Sequence, residues 1–410
     1  MSRPLTVVPA SAATGVSDAL TAALAGSSTL CVLPDAAPPP GHELLPQPTR
    51  GPGRAWPLDW PSALHLAEPV PDEVAALVAT SGSTGMPRAV MLTAGALLAS
   101  AHATLRRLSG PGAWLLALPL SSIGGLQVLV RSRLAGLDAV SMDLTSGFRA
   151  DAFARAARTL PTGLPRYTSL VSTQLRRIVD AGGAGLDALA GFDTVLIGGG
   201  LLDADLRATA TASGVRIVST YGMTETSGGC VYDGIPLERV SVESTSTGLR
   251  IGGDVVALGY HGSPEATRES FVDGWFRTRD SGRVDESGRV TVTGRLDDVI
   301  ISGGVNVAAG AVEEALRDLP DITDAAVLGR PDPEWGQAVV ALVVVTGGAD
   351  LDLTEVRAYV TARLGPAAAP RELITVPALP RLHSGKLDRV AAHLALTGTV
   401  RSSSAPEVDQ

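Results

Sequence analysis

The sequence predicts an α/β protein: a large N-terminal body on mostly parallel sheets, a β-rich subdomain, and a small α+β C-terminal domain. Three observations carry this. Strand-like apolar runs alternate with helical ones from residue 74 to 219, short strands with glycine turns follow Gly248, and a separately patterned block starts near Leu296. A length of 410 residues suits two to three domains. The expected division is 1–295 and 296–410.

The elements follow in order. The first 70 or so residues are weakly patterned, with Pro38, Pro39 and Pro40 and scattered Gly and Pro through Pro61, and read as loops on a domain surface. Residues 74–79 read as a buried strand, a Gly/Ser/Thr loop follows, and Thr93 can cap a helix over 94–108. Next come a strand at 114–118, a helix at 126–134, a strand at 139–142, and helices at 151–160 and 172–180. A strand at 194–197, a helix at 204–211 and a strand at 215–219 complete the alternation, which argues for a mostly parallel sheet covered on both faces. In the last block, helices are expected at 312–319 and 354–364, with strands at 323–328 and 338–345. No internal repeat is visible.

Composition narrows the class. With 45% hydrophobic and 18% charged residues, the chain is neither disordered nor fibrous. A net charge of −9 argues against a nucleic-acid groove or an anionic membrane surface. No apolar run approaches the ~18 residues of a membrane span, and residues 1–10 lack a basic start followed by an apolar core. Cys31 and Cys230 are too few for a disulfide framework or a metal cluster. The expectation is a soluble, cytoplasmic enzyme. Among its 33 cationic residues a single lysine, Lys386, stands against arginine everywhere else. Arginine serves for general positive charge, but it cannot imitate a compact ammonium on a flexible stem.

Three loops could handle a phosphorylated ligand. Thr80, Ser81, Gly82, Ser83, Thr84, Gly85, Met86, Pro87 and Arg88 follow a buried strand and supply hydroxyls, converging backbone N–H groups and a cation. The spacing is neither that of a Walker A loop nor that of a nucleophile elbow; the plain alternative is a Ser/Gly turn. Gly198, Gly199 and Gly200 end a strand and open a helix, where backbone can approach a flat ring or a phosphate. Residues 219–226 follow another strand: Tyr221 offers a stacking face, Thr224 a hydroxyl, and Glu225 a hard oxygen for magnesium. All would lie at the sheet's carboxyl edge, where open α/β folds bind ligands.

Taken together, TSGSTGMPR (80–88), IGGGLL (197–202), YGMTET (221–226), TRDSGRVDESG (278–288), GRLDDVIISGG (294–304) and SGKLDR (384–389) resemble the ordered motifs of the adenylate-forming superfamily. That group includes acyl- and aryl-CoA ligases, peptide-synthetase adenylation domains and beetle luciferases. The resemblance runs from about residue 74 to 389. It implies the adenylate-forming fold, with a mobile C-terminal domain, and ATP, Mg²⁺ and coenzyme A as co-substrates and metal. Thr80, Ser81, Gly82, Ser83, Thr84, Gly85 and Arg88 would hold the β- and γ-phosphates. Gly199, Gly200 and Leu201 would line one side of the adenine, with Tyr221, Gly222 and Met223 on the other. Thr224 would bond the α-phosphate and Glu225 would hold Mg²⁺. Asp280, expected in an exposed turn, would take the ribose hydroxyls, and Arg295 would reach the ribose or the hinge. The hinge would be Asp297, with Gly303 and Gly304 beside the phosphopantetheine arm.

Lys386 falls on the family's catalytic lysine. A lysine surviving by chance would land there about once in 33 trials if Arg and Lys were interchangeable. Its role would be to stabilise charge in the in-line transition state at the α-phosphorus.

Within the superfamily, LPLSSIGGLQVLVRS (118–132), SLVSTQLRR (169–177) and TETSGGCVYDGIPL (224–237) are most similar to the 2-succinylbenzoate–CoA ligases of menaquinone synthesis. That similarity implies a small aromatic acid as substrate, with Ser227, Gly228, Gly229 and Ser122 beside it. Ser169 and Gln174 would serve the substrate or cap a helix. The chain departs from the pattern in having Arg88 where relatives commonly have lysine, and in lacking a histidine at or near Ser121 or Ser122. Its segment before the first motif is also short. Ligation of another aryl or acyl acid, transfer to a carrier-protein thiol, and a weakly catalytic adenylate-binding role stay open, as does a homodimer.

Overall fold

The computed structural model describes residues 3–34, 60–81, 87–145, 147–200, 202–381 and 387–399. The chain opens with a strand, a helix and a strand: β1 (Leu5–Pro9), α1 (Ala13–Leu24) and β2 (Thr29–Leu33). β1 and β2 pair in parallel from Leu5↔Thr29 to Pro9↔Leu33. This corrects the expectation of surface loops for residues 5–33; Pro38, Pro39 and Pro40 lie outside the described residues. The two strands are five residues each, too short to stand out beside the proline-rich stretch that follows. α1 turns Val16, Leu20 and Ala23 inward at helical spacing.

A short helix α2 (Trp60–Ala63) leads to β3 (Val74–Ser81), parallel to β2, as the apolar run predicts. The chain then folds straight back as β4 (Pro87–Thr93), antiparallel to β3. β4 is not expected from the sequence: it begins at Pro87 and Arg88, residues of the polar loop motif, and runs directly into the Thr93 cap. Thr93 caps α3 (Ala94–Arg107) as expected, its hydroxyl accepting from the Ala96 amide at 3.0 Å.

The second sheet takes the next stretch: β5 (Ala113–Leu116), α4 (Ile123–Leu134), β6 (Val140–Ser141), α5 (Ala150–Ala157), β7 (Arg166–Val171), α6 (Ser172–Ala181), α7 (Gly183–Ala190), β8 (Thr194–Gly198), α8 (Ala204–Ala212) and β9 (Ile217–Met223). Strands run β6-β5-β7-β8-β9, all parallel, and β10 (Gly228–Tyr232) and β11 (Ile235–Pro236) extend it antiparallel. β7 and α7 were not foreseen. In β7 the buried Thr168 breaks the apolar pattern, and its hydroxyl donates to the Leu115 carbonyl at 3.0 Å. α7 is rich in glycine and alanine, which weakens its periodicity. Both faces are covered, as expected: Trp114 and Leu116 pack toward α3 and α4, while Ala113 and Leu115 pack toward α5 to α8.

Short antiparallel strands follow, as the glycine-rich texture predicts. They are β12 (Val240–Thr245), β13 (Gly248–Gly253), β14 (Gly259–Tyr260), the helix α9 (Pro264–Ser270), β15 (Phe271–Val272), β16 (Trp275–Arg277) and the hairpin β17 (Asp280–Val284) with β18 (Val290–Arg295). β14 returns to the first sheet and pairs with β4, Tyr260 opposite Val90.

The C-terminal domain comprises β19 (Val299–Ser302), β20 (Val305–Ala308), α10 (Ala309–Arg317), β21 (Ile322–Asp332), β22 (Gly336–Val345), α11 (Leu353–Leu364), β23 (Glu372–Thr375) and α12 (Arg389–Thr399). Its two apolar cores draw only on residues beyond 299. Among the described residues no helix is long and apolar enough to cross a membrane.

Candidate active site

The residues flanking the polar loop are paired across β3 and β4. Thr80 pairs with Arg88 and Ser81 with Pro87, and the Thr80 hydroxyl donates to the Arg88 carbonyl at 3.4 Å. Gly82, Ser83, Thr84 and Gly85 lie outside the described residues. The Arg88 guanidinium rests over the Tyr260 ring, 5.2 Å from its centroid.

At the carboxyl edge of the second sheet, Gly198 ends β8. A Cβ there would lie 2.5 Å from the Thr220 hydroxyl, so only glycine lets β9 approach this closely. Gly199 follows at φ +81°, and the chain passes Gly200 and Leu201, the latter outside the described residues, to the Asp203 cap of α8. Tyr221, Gly222 and Met223 lie inside β9 rather than after it. Gly222 sits so close to β10 that a Cβ would stand 2.2 Å from the Gly228 carbonyl. Thr224 and Glu225 form a single tight turn just beyond.

Asp280 corrects the sequence reading. It is not in an exposed turn but starts β17 with 7% of its surface accessible. The Tyr221 hydroxyl donates to its Oδ2 at 2.7 Å, and Arg295, its cross-strand partner, brings Nη1 to 3.5 Å from Oδ1. Burial, and then the Asp280 charge, push the Tyr221 phenol well above its ordinary range, so it stays a donor. Glu225 has an analogous neighbour: the Tyr260 hydroxyl donates to Oε1 at 3.0 Å, and burial followed by the Glu225 charge raises the Tyr260 phenol likewise.

On the acid side, Ser227 adopts a left-handed backbone (φ 53°) and turns its hydroxyl inward to the Val255 carbonyl at 2.8 Å. Gly228 and Gly229 are closely packed: a Cβ would stand 3.3 Å from the Gln127 side chain at the first and 3.0 Å from the Tyr232 ring at the second. Ser122 is the N-cap of α4, accepting from the Gly125 amide at 3.1 Å and donating to the Pro119 carbonyl at 2.7 Å. Gln174 follows the helix-cap reading: Oε1 accepts from the Val171 amide and Nε2 donates to the Ala117 carbonyl.

Beyond β18, Asp297 lies in a single turn over Leu296–Asp298. Asp298 is not a solvated turn residue, because Arg389 meets its carboxylate at 2.9 Å. Gly303 and Gly304 form the tip of the β19–β20 hairpin, Gly303 against the Trp335 ring. Lys386 lies outside the described residues. Arg381 and Leu387, on either side of it in sequence, form an antiparallel bridge.

Three residues escaped the sequence reading. Tyr260 sat in a stretch treated only as β texture. Arg389 stood three positions after Lys386. Arg131 was hidden within the apolar run of α4, and a cation in such a run was the available signal. Arg131 is 3% exposed, its guanidinium is 5.1 Å from the Trp114 ring centroid, and its Nε has no hydrogen-bond partner. Among the described residues no carboxylate pairs with it, and burial lowers its pKa from the ordinary arginine value. One turn earlier, Gln127 donates to the Ser227 carbonyl at 2.8 Å while its own Oε1 is unpartnered.

A strand-edge site of glycines, a tyrosine and two tyrosine-bound carboxylates, joined to a small α+β domain, is the arrangement of an adenylate-forming enzyme. Residues 5–258 match the family described as AMP-binding enzyme, and residues 311–386 match the AMP-binding enzyme C-terminal domain; the chain belongs to this family. A "Probable 2-succinylbenzoate–CoA ligase" of Mycobacterium tuberculosis is 46% identical over 335 residues, covering 80% of this chain and 86% of that protein. A 2-succinylbenzoate–CoA ligase of Bacillus cereus is 31% identical over 342 residues, covering 78% and 69%. The solved o-succinylbenzoate CoA synthetase of Bacillus subtilis, in complex with its acyl-adenylate intermediate, shares the fold with a TM-score of 0.69 at 24% identity, over 96% and 82% of the two chains.

Proposed function

We propose that the protein is an ATP-dependent acid–thiol ligase of the cytoplasm that converts 2-succinylbenzoate to its CoA thioester, a step of menaquinone synthesis. The observation that carries this is the 46% identity with the mycobacterial relative across 80% of the chain.

In the first half-reaction a carboxylate oxygen of the acid attacks the α-phosphorus of ATP, and pyrophosphate leaves. The 80–88 segment with Arg88 holds the β- and γ-phosphates, and Gly199, Gly200, Leu201 and Tyr221 frame the adenine. Gly222 and Met223 shape the strand below. Thr224 donates to the α-phosphate and Asp280, with Arg295 beside it, takes the ribose hydroxyls. Gly228 and Gly229 would border the aromatic ring with their backbone, with Ser227 and Ser122 holding the chain around it. Lys386 neutralises charge on the attacking and α-phosphate oxygens. In the second half-reaction a thiol gives up its proton, its sulfur attacks the acyl carbon, and the bond to AMP breaks. We assign residues 1–295 to the body and 296–410 to a domain that turns about Asp297 between the two steps, bringing Gly303 and Gly304 to the pantetheine arm.

The donor set fits Mg²⁺. Among the described residues no group of three or more His, Cys, Asp or Glu side chains could hold a metal. One carboxylate completed by substrate phosphates and water is how this ion is commonly bound. Glu225 would hold it, and it would supply charge neutralisation on the phosphates. The test is mass spectrometry of products from ATP, Mg²⁺, CoA and 2-succinylbenzoate, with other acids alongside. 2-Succinylbenzoyl-CoA with stoichiometric AMP is expected. A thioester from a different acid alone would overturn the substrate, and no turnover with any acid would overturn the reaction.

A further inference from the structure

Two parts of the nucleotide site come from different sheets. Arg88 stands on β4 of the first, and Glu225 lies just past β9 of the second. Residues 257–261 strap them together. The Leu258 and His261 amides donate to the Met91 and Ala89 carbonyls at 3.0 and 2.8 Å, which fixes this segment along β4 beside Arg88. One residue earlier, the Ala257 amide donates to the Glu225 carbonyl at 2.9 Å.

Tyr260 is the side chain of this strap that faces both. Its ring face takes the Arg88 cation, and its hydroxyl bonds the Glu225 carboxylate. The ring itself is 6% exposed, set edge-on to Phe271 at 5.4 Å, with its backbone amide held by the Thr267 hydroxyl at 2.9 Å. A planar guanidinium stacks on an aromatic face in a way an ammonium does not. Arginine at this position therefore gains a seat from Tyr260. Because the tyrosine offers a neutral donor to Glu225, it orients the carboxylate and leaves its charge intact.

We propose that Tyr260 is a positioning residue for the adenylation step, holding Glu225 and Arg88 in one frame so that the metal and the leaving pyrophosphate meet a preset site. This rests on the functional reading above. It predicts a separation that general loss of packing would not give. Tyr260→Phe keeps the ring under Arg88 and removes the hydroxyl's bond to Glu225, together with its contact to Ser270. Tyr260→Leu removes both.

The experiment titrates Mg²⁺ against binding of a non-hydrolysable ATP analogue by calorimetry, measures inorganic pyrophosphate binding, and follows both half-reactions. For Tyr260→Phe, the Mg²⁺ concentration for half-saturation should rise about tenfold, the effect of losing one hydrogen bond to a charged group. Pyrophosphate affinity, and thioester formation from supplied acyl-AMP, should stay within about twofold of the parent protein. Tyr260→Leu should weaken pyrophosphate binding as well. An unchanged Mg²⁺ titration in Tyr260→Phe, or equal loss of both half-reactions, would overturn the proposal. Failure of the parent protein to ligate any acid would instead overturn the functional reading, while its Mg²⁺-dependent nucleotide binding would still report on Tyr260.

Discussion

In the body, Glu225 and Asp280 each meet a tyrosine hydroxyl, at 3.0 and 2.7 Å. In the C-terminal domain, Asp298, Glu313 and Asp324 are met by arginines instead. Arg389 spans Asp298 and Glu313, both at 2.9 Å, Arg317 reaches Glu313 and Asp324 at 3.5 and 3.6 Å, and Arg381 closes on Asp324. The difference is chemical. A neutral phenol fixes a carboxylate's direction without cancelling its charge, whereas a guanidinium cancels it. Elsewhere in the body carboxylates are also met by arginines, as in Arg207–Asp233 and Arg250–Glu243; at Glu225 and Asp280 phenols orient the carboxylate, with Arg295 3.5 Å from Asp280. The C-terminal domain spends its carboxylates on its own architecture, and its ladder ties both flanks of the Lys386 segment to α10 and β21.

That contrast can be broken in stages. The largest effect should come from Glu225→Gln, which keeps the side chain's shape but removes its charge. Acyl-AMP formation should fall by about two orders of magnitude with a flattened Mg²⁺ titration. An unaltered titration would remove Glu225 from the metal.

In the C-terminal domain the expected loss is one of stability. Arg389→Met should destabilise the domain by about 2 kcal/mol, less than a fully buried pair because the ladder is partly exposed, with nucleotide binding by the body unchanged. The cysteines respond to pH. Burial pushes the Cys31 and Cys230 thiols up to about 12, so both should resist iodoacetamide at pH 8 until the protein is unfolded. Since the folded value is raised, the stability they contribute is complete below their ordinary 9.0 and is lost as pH climbs toward 12. Denaturant midpoints from pH 8 to 11 would check the sign.

What the sequence revealed follows from which signals are local. The Thr93 cap, the apolar run of β3 and the glycines at the end of β8 depend on neighbouring residues, and were legible. β1 and β2 become strands only because a parallel partner lies across the sheet, which five residues cannot announce. Asp280 reads as a turn until Tyr221, 59 positions away, is seen to donate to it. Arg131 is a cation in an apolar helix, and its lack of a partner is a fact of three-dimensional packing. The lone lysine was the reverse case, a single residue made conspicuous by composition alone.

In the proposed function the body binds and orients while the C-terminal domain brings the Lys386 charge to adenylation. Single-turnover measurement of both half-reactions in Lys386→Ala checks this division. Acyl-AMP formation should fall by about a thousandfold or more, with thioester formation from supplied acyl-AMP largely retained. Equal loss of both steps, or retention of adenylation, would contradict it.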